Sequence, residues 1–214
     1  MDFIPRNIFL VSPNYGHIPW IMVLHKAVCI DCSDAYRSGG TQSGLFLLGL
    51  TRQNAPLRLF TGFCEMDTTD DQWLVFQRRM DGSEDFNIGW QSYVQGFGDM
   101  QTEFWLGNEV LHALTASGYT VLRVDMSDFE NESRFAEYQT FTVGDAADHY
   151  RMKCGGDSLS FSNGTQFSTL DADHDTHVTH NCAATHTGAF WYAACHHANP
   201  NGLYLGGPNA GECW

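Results

Sequence analysis

The C-terminal part of this chain of 214 residues constrains its fold more than any other part. Over residues 153–214 the regular hydrophobic patterning fades, and Gly, Asn, Asp and Pro punctuate the sequence. Within this stretch three aspartates alternate over residues 171–175, and Cys182 and Cys195 follow. A long irregular stretch in a compact domain is usually functional, and it must be held by cross-links such as disulfides or metal ions rather than by helices and strands. We therefore expect the fold and any functional site to depend on the chemistry of this stretch.

The composition narrows the classes of protein to which the chain can belong. Hydrophobic residues make up 43% and charged residues 17%, which excludes a disordered acidic chain despite a net charge of -14. The 25 acidic against 11 basic residues argue against a nucleic-acid partner, because phosphate binding needs basic clusters and Arg78-Arg79 is only a pair. Seven cysteines fit an oxidising compartment, and their odd number leaves at least one without an intrachain partner. With candidate glycosylation triplets at Asn131 and Asn163, we expect a secreted, extracellular protein.

Residues 1–30 differ from the rest of the chain in sequence pattern, because Pro, Asn and Gly are mixed with short apolar runs. The apolar run Ile18–Leu24 contains Pro19 and is ended by His25-Lys26, so it makes a poor signal peptide. It is also too short to span a bilayer, which needs about 20 apolar residues. We interpret residues 1–30 as a leader or poorly ordered segment, either a degenerate leader or a misassigned first exon, and we expect no membrane span elsewhere.

Hydrophobic periodicity predicts short strands and helices before the irregular stretch. Asn108 is predicted to cap the second helix and Gly118 to end it. The predicted strands are Ser43–Leu50, Leu57–Cys64, Gln72–Arg79, Tyr119–Met126 and Ser133–Val143, and the predicted helices are Asn87–Phe97 and Asn108–Ser117.

The alternating aspartates suggest a calcium loop, because hard Ca²⁺ prefers carboxylate and carbonyl oxygens. Counted from Asp171, the places of the essential Gly and Glu of an EF-hand hold Thr176 and Cys182, so an EF-hand is not expected. Two interpretations stay open from the residues alone. One is a calcium loop that uses two Asp side chains with backbone carbonyls, and the other is a solvated acidic turn.

Two further chemistries are weaker candidates. Six of the ten histidines fall between residues 174 and 197 and could form a zinc site with Cys182 and Cys195, but the spacing fits no standard motif and oxidised cysteines cannot bind zinc. Surface histidines are the favoured interpretation. A thiol hydrolase based on Cys195 and His196 is disfavoured because adjacent side chains usually point apart, and the common catalytic motifs are missing from the sequence. We therefore do not expect an enzyme.

Several motifs occur in order between residue 31 and residue 214. They are Asp31-Cys-Ser-Asp34, Cys64-Glu-Met-Asp67, Trp73 to Ser83, Glu103-Phe-Trp-Leu-Gly-Asn108, Leu122-Arg-Val-Asp125, Asp171-x-Asp-x-Asp175, Asn181-Cys-Ala183, Gly188-Ala-Phe-Trp-Tyr192 and Asn201-Gly202. In type and order these motifs resemble the fibrinogen C-terminal (fibrinogen-related) domain family. The run from Gly188 to Tyr192 before Cys195-His196 is closest to the lectin branch, the ficolins and tachylectin-like proteins.

The resemblance implies an α+β fold over residues 31–214. A small N-terminal subdomain, a central antiparallel sheet with flanking short helices, and a loop-rich C-terminal subdomain are expected. The implied disulfides are Cys32–Cys64 and Cys182–Cys195, each worth about 2–4 kcal/mol in the usual treatment. Family members continue with a final strand that enters the central sheet, so the domain is expected to be truncated at its C-terminus and to lack its last strands.

The resemblance also implies a bound Ca²⁺. Its ligands would be the side chains of Asp173 and Asp175 and the backbone carbonyls of His177 and Thr179. Asp171 would be a supporting residue.

Lectin members of the family bind acetyl groups beside that calcium. The resemblance transfers this role to Cys195 and His196, with Trp191 or Tyr192 shaping the cup and His186 in the place of the usual Tyr. It further implies a cis peptide bond before Cys195, which would aim backbone N–H groups at the acetyl oxygen. A non-proline cis bond costs about 3–4 kcal/mol, so the surrounding structure would have to enforce it.

These expectations combine into one functional hypothesis. The chain is expected to be a secreted, calcium-dependent, lectin-like module for acetylated glycans or cell-surface glycoproteins in innate-immune recognition. Single sites of this kind are weak, so a homo-oligomer is expected, with a disulfide link through Cys29 as one route. Cys154 and Cys213 have no family partner. The alternative is a protein-binding module of the angiopoietin, tenascin or fibrinogen kind without acetyl binding, because one fold hosts many functions.

Overall fold

The computed structural model describes residues 4–11, 28–50, 58–67, 71–128, 130, 132–156 and 159–204. The strands are β1 (Ile4–Val11), β2 (Gly44–Leu50), β3 (Arg58–Glu65), β4 (Trp73–Arg78), β5 (Phe97–Gly98), β6 (Phe104–Trp105), β7 (Val121–Ser127), β8 (Ser133–Tyr138), β9 (Phe141–Val143) and β10 (Met152–Cys154). The helices are α1 (Cys32–Arg37), α2 (Trp90–Gln95), α3 (Asn108–Ala116) and α4 (Cys182–Thr185), with 3₁₀ turns at Ala146–Asp148 and Ser160–Ser162.

A twisted antiparallel sheet in the order β2-β3-β4-β1-β7-β8 forms the centre of the molecule. Strand β4 is buried along its whole length, and β6 pairs with its C-terminal end. A strand covered on both faces reads as a continuous apolar run, which explains why Trp73–Arg78 alternates only weakly. The expected α+β architecture with a central antiparallel sheet is confirmed.

Strand β1 comes from the segment that we interpreted as a leader. It lies between β4 and β7 and pairs antiparallel with both, so it joins two parts of the sheet that are not neighbours otherwise. Ile8 and Leu10 are buried in the core. Pro5 stands at a register shift against β7, where a missing N–H costs least. The interpretation of residues 1–30 as poorly ordered therefore does not fit Ile4–Val11, and residues 12–27 lie outside the described part.

The predicted strand Ser133–Val143 is in fact two strands in two sheets. β8 ends at Tyr138, and β9 begins at Phe141 and pairs with β10. Gln139 and Thr140 are exposed between two buried aromatic rings, so the chain turns there instead of continuing in one plane.

The second predicted helix is present, but its cap differs from the prediction. Gly107, with φ of +106°, is the N-cap of α3 and offers no side chain. Asn108 is fully buried, and its Oδ1 accepts a hydrogen bond from the Trp105 indole at 3.0 Å. The Asn108 Oδ1 that would cap the helix therefore already accepts the buried hydrogen bond from Trp105. Gly118 follows the helix with φ of +102°, as a stop residue should.

The cysteines near the sheet fall into two groups. A disulfide joins Cys32 in α1 to Cys64 in β3. Cys29 and Cys154 are free and buried, and burial raises the pKa of both thiols, that of Cys154 to about 12. A buried thiol at Cys29 does not favour an interchain bridge there, and Cys213 lies outside the described residues.

An aromatic cluster joins the sheet to the C-terminal loops. Trp105 of β6 packs against Tyr93 of α2, and both rings meet Phe167 at 5.9 and 5.3 Å between centroids. Trp191 adds to the same cluster through Phe167 at 5.1 Å and Trp105 at 6.2 Å. The loops therefore share one hydrophobic core with the sheet.

A buried ion pair strengthens the same junction. Arg79 lies 3.8 Å from Glu103, and both side chains are almost fully buried. Burial alone would raise the pKa of Glu103, but hydrogen bonds from the backbone N–H groups of Met80, Glu84 and Gly82, with the charge of Arg79, lower it. The carboxylate thus pins the turn that follows β4.

The other side of Arg79 holds the C-terminal loops. Its Nη1 donates to the carbonyls of Gly202 at 2.9 Å and Pro200 at 3.3 Å. Gln77 donates to Pro200 and to Asn201 from the same strand end. No helix in the described part of the chain is long and apolar enough to cross a bilayer.

Candidate functional site

The acidic loop is attached to the body of the domain through Asp171. Its Oδ1 accepts hydrogen bonds from the Trp90 N–H at 2.8 Å and from the Thr169 hydroxyl at 2.7 Å. Gly89, the N-cap of α2, has no side chain to do this, and a Cβ there would lie 2.6 Å from Asp171 Oδ2. The Thr169 hydrogen bond is the main cause that lowers the pKa of Asp171. Asp171 therefore attaches the loop to α2, and its supporting role toward a calcium ion stays a prediction.

The next two aspartates bind the loop to itself. Asp173 is exposed, and its Oδ1 accepts from the Asp175 N–H at 3.2 Å. Asp175 is half-buried and accepts from the His177 N–H through Oδ1 and from the Cys182 N–H through Oδ2, both at 2.7 Å. Burial raises the pKa of Asp175, and the neighbouring charge of Asp173 adds to this rise. The two carboxylates therefore repel each other in a position that is partly shielded from water.

This donor set fits a hard divalent cation. Neither Asp173 nor Asp175 forms an ion pair with Lys or Arg in the described ranges, so their repulsion is not compensated by such a pair. A cation beside both carboxylates would remove that repulsion, and Ca²⁺ accepts carboxylate and carbonyl ligands in irregular geometry. The turn at residues 177–179 is closed by the Thr179 N–H, which donates to His177 Nδ1 at 3.3 Å.

Two routes join the acidic loop to the segment around Cys195. In the first, the Cys182 N–H donates to Asp175, and the Cys182–Cys195 disulfide continues the connection. In the second, the Thr176 N–H donates to the Ala193 carbonyl at 3.1 Å. A change in the position of the aspartates would therefore move the backbone at residues 193–195.

The peptide bond before Cys195 is trans, contrary to the expectation from the resemblance. The trans form is lower in energy by about 3–4 kcal/mol for a non-proline residue. Here the turn is closed by the Ala193 N–H, which donates to the Cys195 carbonyl at 2.9 Å.

Three rings of the expected ligand cup do come together. The His186 and His196 rings lie 4.4 Å apart in an edge arrangement, and Tyr192 lies 5.8 Å from His196. His186 is the C-cap of α4, and its backbone N–H donates to the carbonyl of Cys182, one of the two disulfide cysteines.

Trp191 is not part of that cup. It is 2% exposed, and its indole N–H donates to the Tyr150 carbonyl at 2.7 Å within the aromatic core. Tyr192 is buried too, but its ring faces His196. Adjacent residues of an extended segment point to opposite sides, so only one of this pair can face the cup.

Asn199 braces the cup, and sequence reasoning did not single it out. Its Nδ2 donates to the His186 carbonyl at 3.0 Å, and its Oδ1 accepts from the Tyr192 hydroxyl at 2.6 Å. The side chain is buried. A buried Asn before Pro200 carries no periodic signal, so only the folded structure shows this role.

The glycosylation candidates remain predictions. Asn163 is exposed, and its Oδ1 accepts a hydrogen bond from the Cys154 N–H at 3.0 Å. Asn131 lies outside the described residues.

The chain is similar in sequence to known proteins over most of its length. "Ficolin-3" of Homo sapiens is 46% identical over 181 residues, which are 81% of this chain and 59% of the relative. "Ryncolin-4" of Cerberus rynchops is 43% identical over 187 residues, which are 84% of this chain and 53% of the relative. The chain therefore spans little more than half the length of these relatives.

Solved structures show the same fold. The fibrinogen-like globe domain of human ANGPTL2 has a TM-score of 0.77 and 38% identity, and 83% of each chain is covered. That of human ANGPTL6 has 0.77 and 37%, with 86% and 84% covered. Lamprey fibrin D-dimer, complexed with the peptide Gly-His-Arg-Pro-amide, has 0.74 and 32%, with 85% of this chain and 63% of the other covered.

The family model of the C-terminal globular domain of fibrinogen beta and gamma chains matches residues 28–213. The chain belongs to the family of fibrinogen C-terminal domains.

Proposed function

We propose that this chain is a secreted, calcium-dependent recognition module that binds acetylated glycans, in a lectin-like role in innate immunity. The observation that carries this proposal is the double connection between the acidic loop and the Cys195 segment. A cation held by Asp173 and Asp175 would fix the position of the backbone around Cys195. His196 is the next residue along that backbone. The similarity to ficolin-3 and ryncolin-4 supports the lectin-like part of the proposal.

Calcium would be held by the side chains of Asp173 and Asp175 and the carbonyls of His177 and Thr179. When bound, the ion neutralises the two repelling carboxylates and supplies a fixed positive charge. Asp171 keeps the loop attached to α2, so the energy of ion binding is not spent on ordering a free loop.

The cup would recognise a small group with an apolar end and an acceptor oxygen. The partly exposed rings of His186 and His196 would form the wall of the cup, with the buried Tyr192 ring beside His196. A backbone N–H of the Cys195–His196 segment would donate to the acceptor oxygen, from a segment whose peptide bond before Cys195 is trans. An acetyl group has this combination of a methyl and a carbonyl oxygen. The chain performs no bond-making step in this role, so we assign it as a binding module and not as an enzyme.

A site of this size gives weak binding, because few atoms of the ligand are contacted. Useful affinity for a glycan-coated surface then requires several copies, and we include a homo-oligomer in the proposal. The two disulfides fit an extracellular location.

The test is retention on an acetylated resin in calcium, with elution by acetate, N-acetylglucosamine or EDTA. Wild type should be retained and then released by each eluent. Asp173→Asn with Asp175→Asn should abolish retention and calcium uptake together. Asp85→Asn is the matched control, because Asp85 accepts from the N–H two residues on as Asp173 does, but lies on another loop. Calcium uptake by the double variant equal to that of wild type would disprove the metal assignment.

A second function is favoured by the structural relatives. The ANGPTL2 and ANGPTL6 globes share this fold at 38% and 37% identity, and lamprey fibrin D-dimer is seen with a bound peptide. Val178, on the acidic loop, is 97% exposed, and Leu203 is 45% exposed. Such apolar side chains suit a protein partner. Calcium binding without any retention on the acetylated resin would favour this protein-binding function.

A further inference from the structure

A second set of metal-binding atoms lies beside the acidic loop. One ring nitrogen of His180 and the sulfurs of Cys182 and Cys195 are three ligand atoms that all lie within 4.8 Å of one another. His180 Nε2 itself is 3.7 Å from Cys195 Sγ. In a tetrahedral zinc site, with Zn–S near 2.3 Å and Zn–N near 2.0 Å, neighbouring ligand atoms are about 3.4–3.8 Å apart. The His180 nitrogen therefore already lies at the spacing that zinc requires from the Cys195 sulfur.

The other nitrogen of His180 is held in place. Its Nδ1 lies 3.3 Å from the Thr179 hydroxyl oxygen, which can accept a hydrogen bond from Nδ1–H in the tautomer that leaves Nε2 free. Zinc-binding histidines commonly donate their second ring N–H to such a partner, which fixes the tautomer that leaves the ligand nitrogen free. The His177 ring, 3.7 Å from the His180 ring, further limits the rotation of His180.

We propose that reduction of the Cys182–Cys195 disulfide converts this cluster into a zinc site, with both thiolates and His180 as ligands and a fourth position open to water. In the oxidised protein the sulfurs bind each other and cannot act as thiolate ligands. A dithiol or phosphine reductant supplies two electrons, the S–S bond breaks, and each sulfur takes up a proton. Zinc then binds the two sulfurs and releases these two protons. A dithiol gives up its two protons and is oxidised to a disulfide, whereas a phosphine takes its oxygen from water, which also supplies the two protons, and becomes a phosphine oxide.

Exposure makes this disulfide the easier one to reduce. Cys195 is partly exposed, whereas Cys32 and Cys64 of the other disulfide are both buried. Thiol–disulfide exchange requires direct access to one sulfur. Reductant should therefore open the Cys182–Cys195 bond first.

Zinc would replace a covalent link with a coordinate one. The metal would again join residues 182 and 195 and keep the acidic loop next to His196. The inference does not depend on the calcium ligands or on acetyl binding, because none of its three ligand side chains is a proposed calcium ligand.

The test uses the full-length protein and Co²⁺ as a spectroscopic substitute for zinc. After reduction with a water-soluble phosphine, one Co²⁺ per chain should give thiolate-to-cobalt charge-transfer absorption and tetrahedral visible bands, and zinc should displace it. The oxidised protein should show no such charge transfer. His180→Ala should weaken cobalt and zinc affinity at least about tenfold in competition with a chelator. His197→Ala should leave it unchanged, since His197 is an exposed histidine stacked on Phe161 at 4.0 Å.

Each alternative result overturns the proposal. Equal affinity in His180→Ala and wild type would remove His180 from the site. Charge transfer that survives in Cys182→Ser with Cys195→Ser would assign it to other thiols, such as Cys29 or Cys154. Loss of the near-ultraviolet circular dichroism on reduction, not recovered on adding zinc, would show that no folded site forms.

Discussion

The central sheet and the C-terminal loops of this domain are stabilised in different ways. In the sheet, β1, β4 and β7 exchange backbone hydrogen bonds with their neighbours and bury apolar side chains such as Leu10. In the loops, single side chains take the place of strand neighbours: Asp171 and Asp175 accept backbone N–H groups, and a disulfide closes the segment. Substitutions in the sheet should therefore destabilise the protein mainly by creating cavities. Substitutions in the loops should destabilise it mainly by removing individual hydrogen bonds.

The two regions share one boundary, and it should be the most sensitive place in the molecule. Trp105 is 1% exposed and contacts rings from the sheet, from α2 and from the loops. We expect Trp105→Ala to lower the free energy of unfolding by about 3–5 kcal/mol. The measurement is denaturant unfolding, followed by fluorescence and by far-ultraviolet circular dichroism. Phe135→Ala is the control, because Phe135 is 61% exposed, and a loss below about 1 kcal/mol at Trp105 would contradict a shared core.

The second prediction concerns the ion pair at the same boundary. Glu103→Gln would leave the buried Arg79 charge uncompensated and should cost about 3–5 kcal/mol at neutral pH. Because the folded pKa of Glu103 is lowered, its contribution exists above the unfolded pKa and is lost as pH falls through the folded value. The difference between wild type and variant in denaturant unfolding should therefore shrink in acid. A difference that stays constant down to the acid transition would contradict this role.

Sequence patterns revealed the sheet better than the loops. Strands β2, β3 and β4 were predicted within one or two residues, since apolar residues dominate them. Strand β1 was not predicted, because it carries Pro5 and its central position is visible only in the fold, where it pairs with β4 and β7.

The loop site was predicted from family motifs and not from periodicity. The alternating aspartates and both disulfides were named, but the link from Thr176 to Ala193 and the brace at Asn199 were not. Such links join residues that are distant along the chain through single polar atoms. A hydrogen bond of this kind produces no recognisable residue spacing in the sequence, so it can be identified only in the folded structure.

The third prediction separates the two regions. Cys182→Ser with Cys195→Ser should lower the free energy of local opening of the loops by about 2–4 kcal/mol, since the disulfide closes a loop between residues 13 apart. The loss should be local, with faster amide hydrogen exchange at residues 171–197 and little change in β4. Uniformly faster exchange in β4 would show instead that the loops and the sheet unfold as one unit.

The last prediction is the smallest and sharpens the division of roles within the acidic loop. Asp171→Ala removes the acceptor for the Trp90 N–H and should cost about 1 kcal/mol, as for the loss of a helix cap. Calcium uptake should weaken only slightly, because Asp171 faces α2 and not the proposed ion, whereas Asp175→Ala should abolish it. Asp85→Ala gives the baseline for losing an exposed Asp that bonds a nearby N–H. Titration calorimetry with calcium, run beside thermal unfolding, measures both effects, and equal losses of calcium affinity in Asp171→Ala and Asp175→Ala would place Asp171 among the ligands.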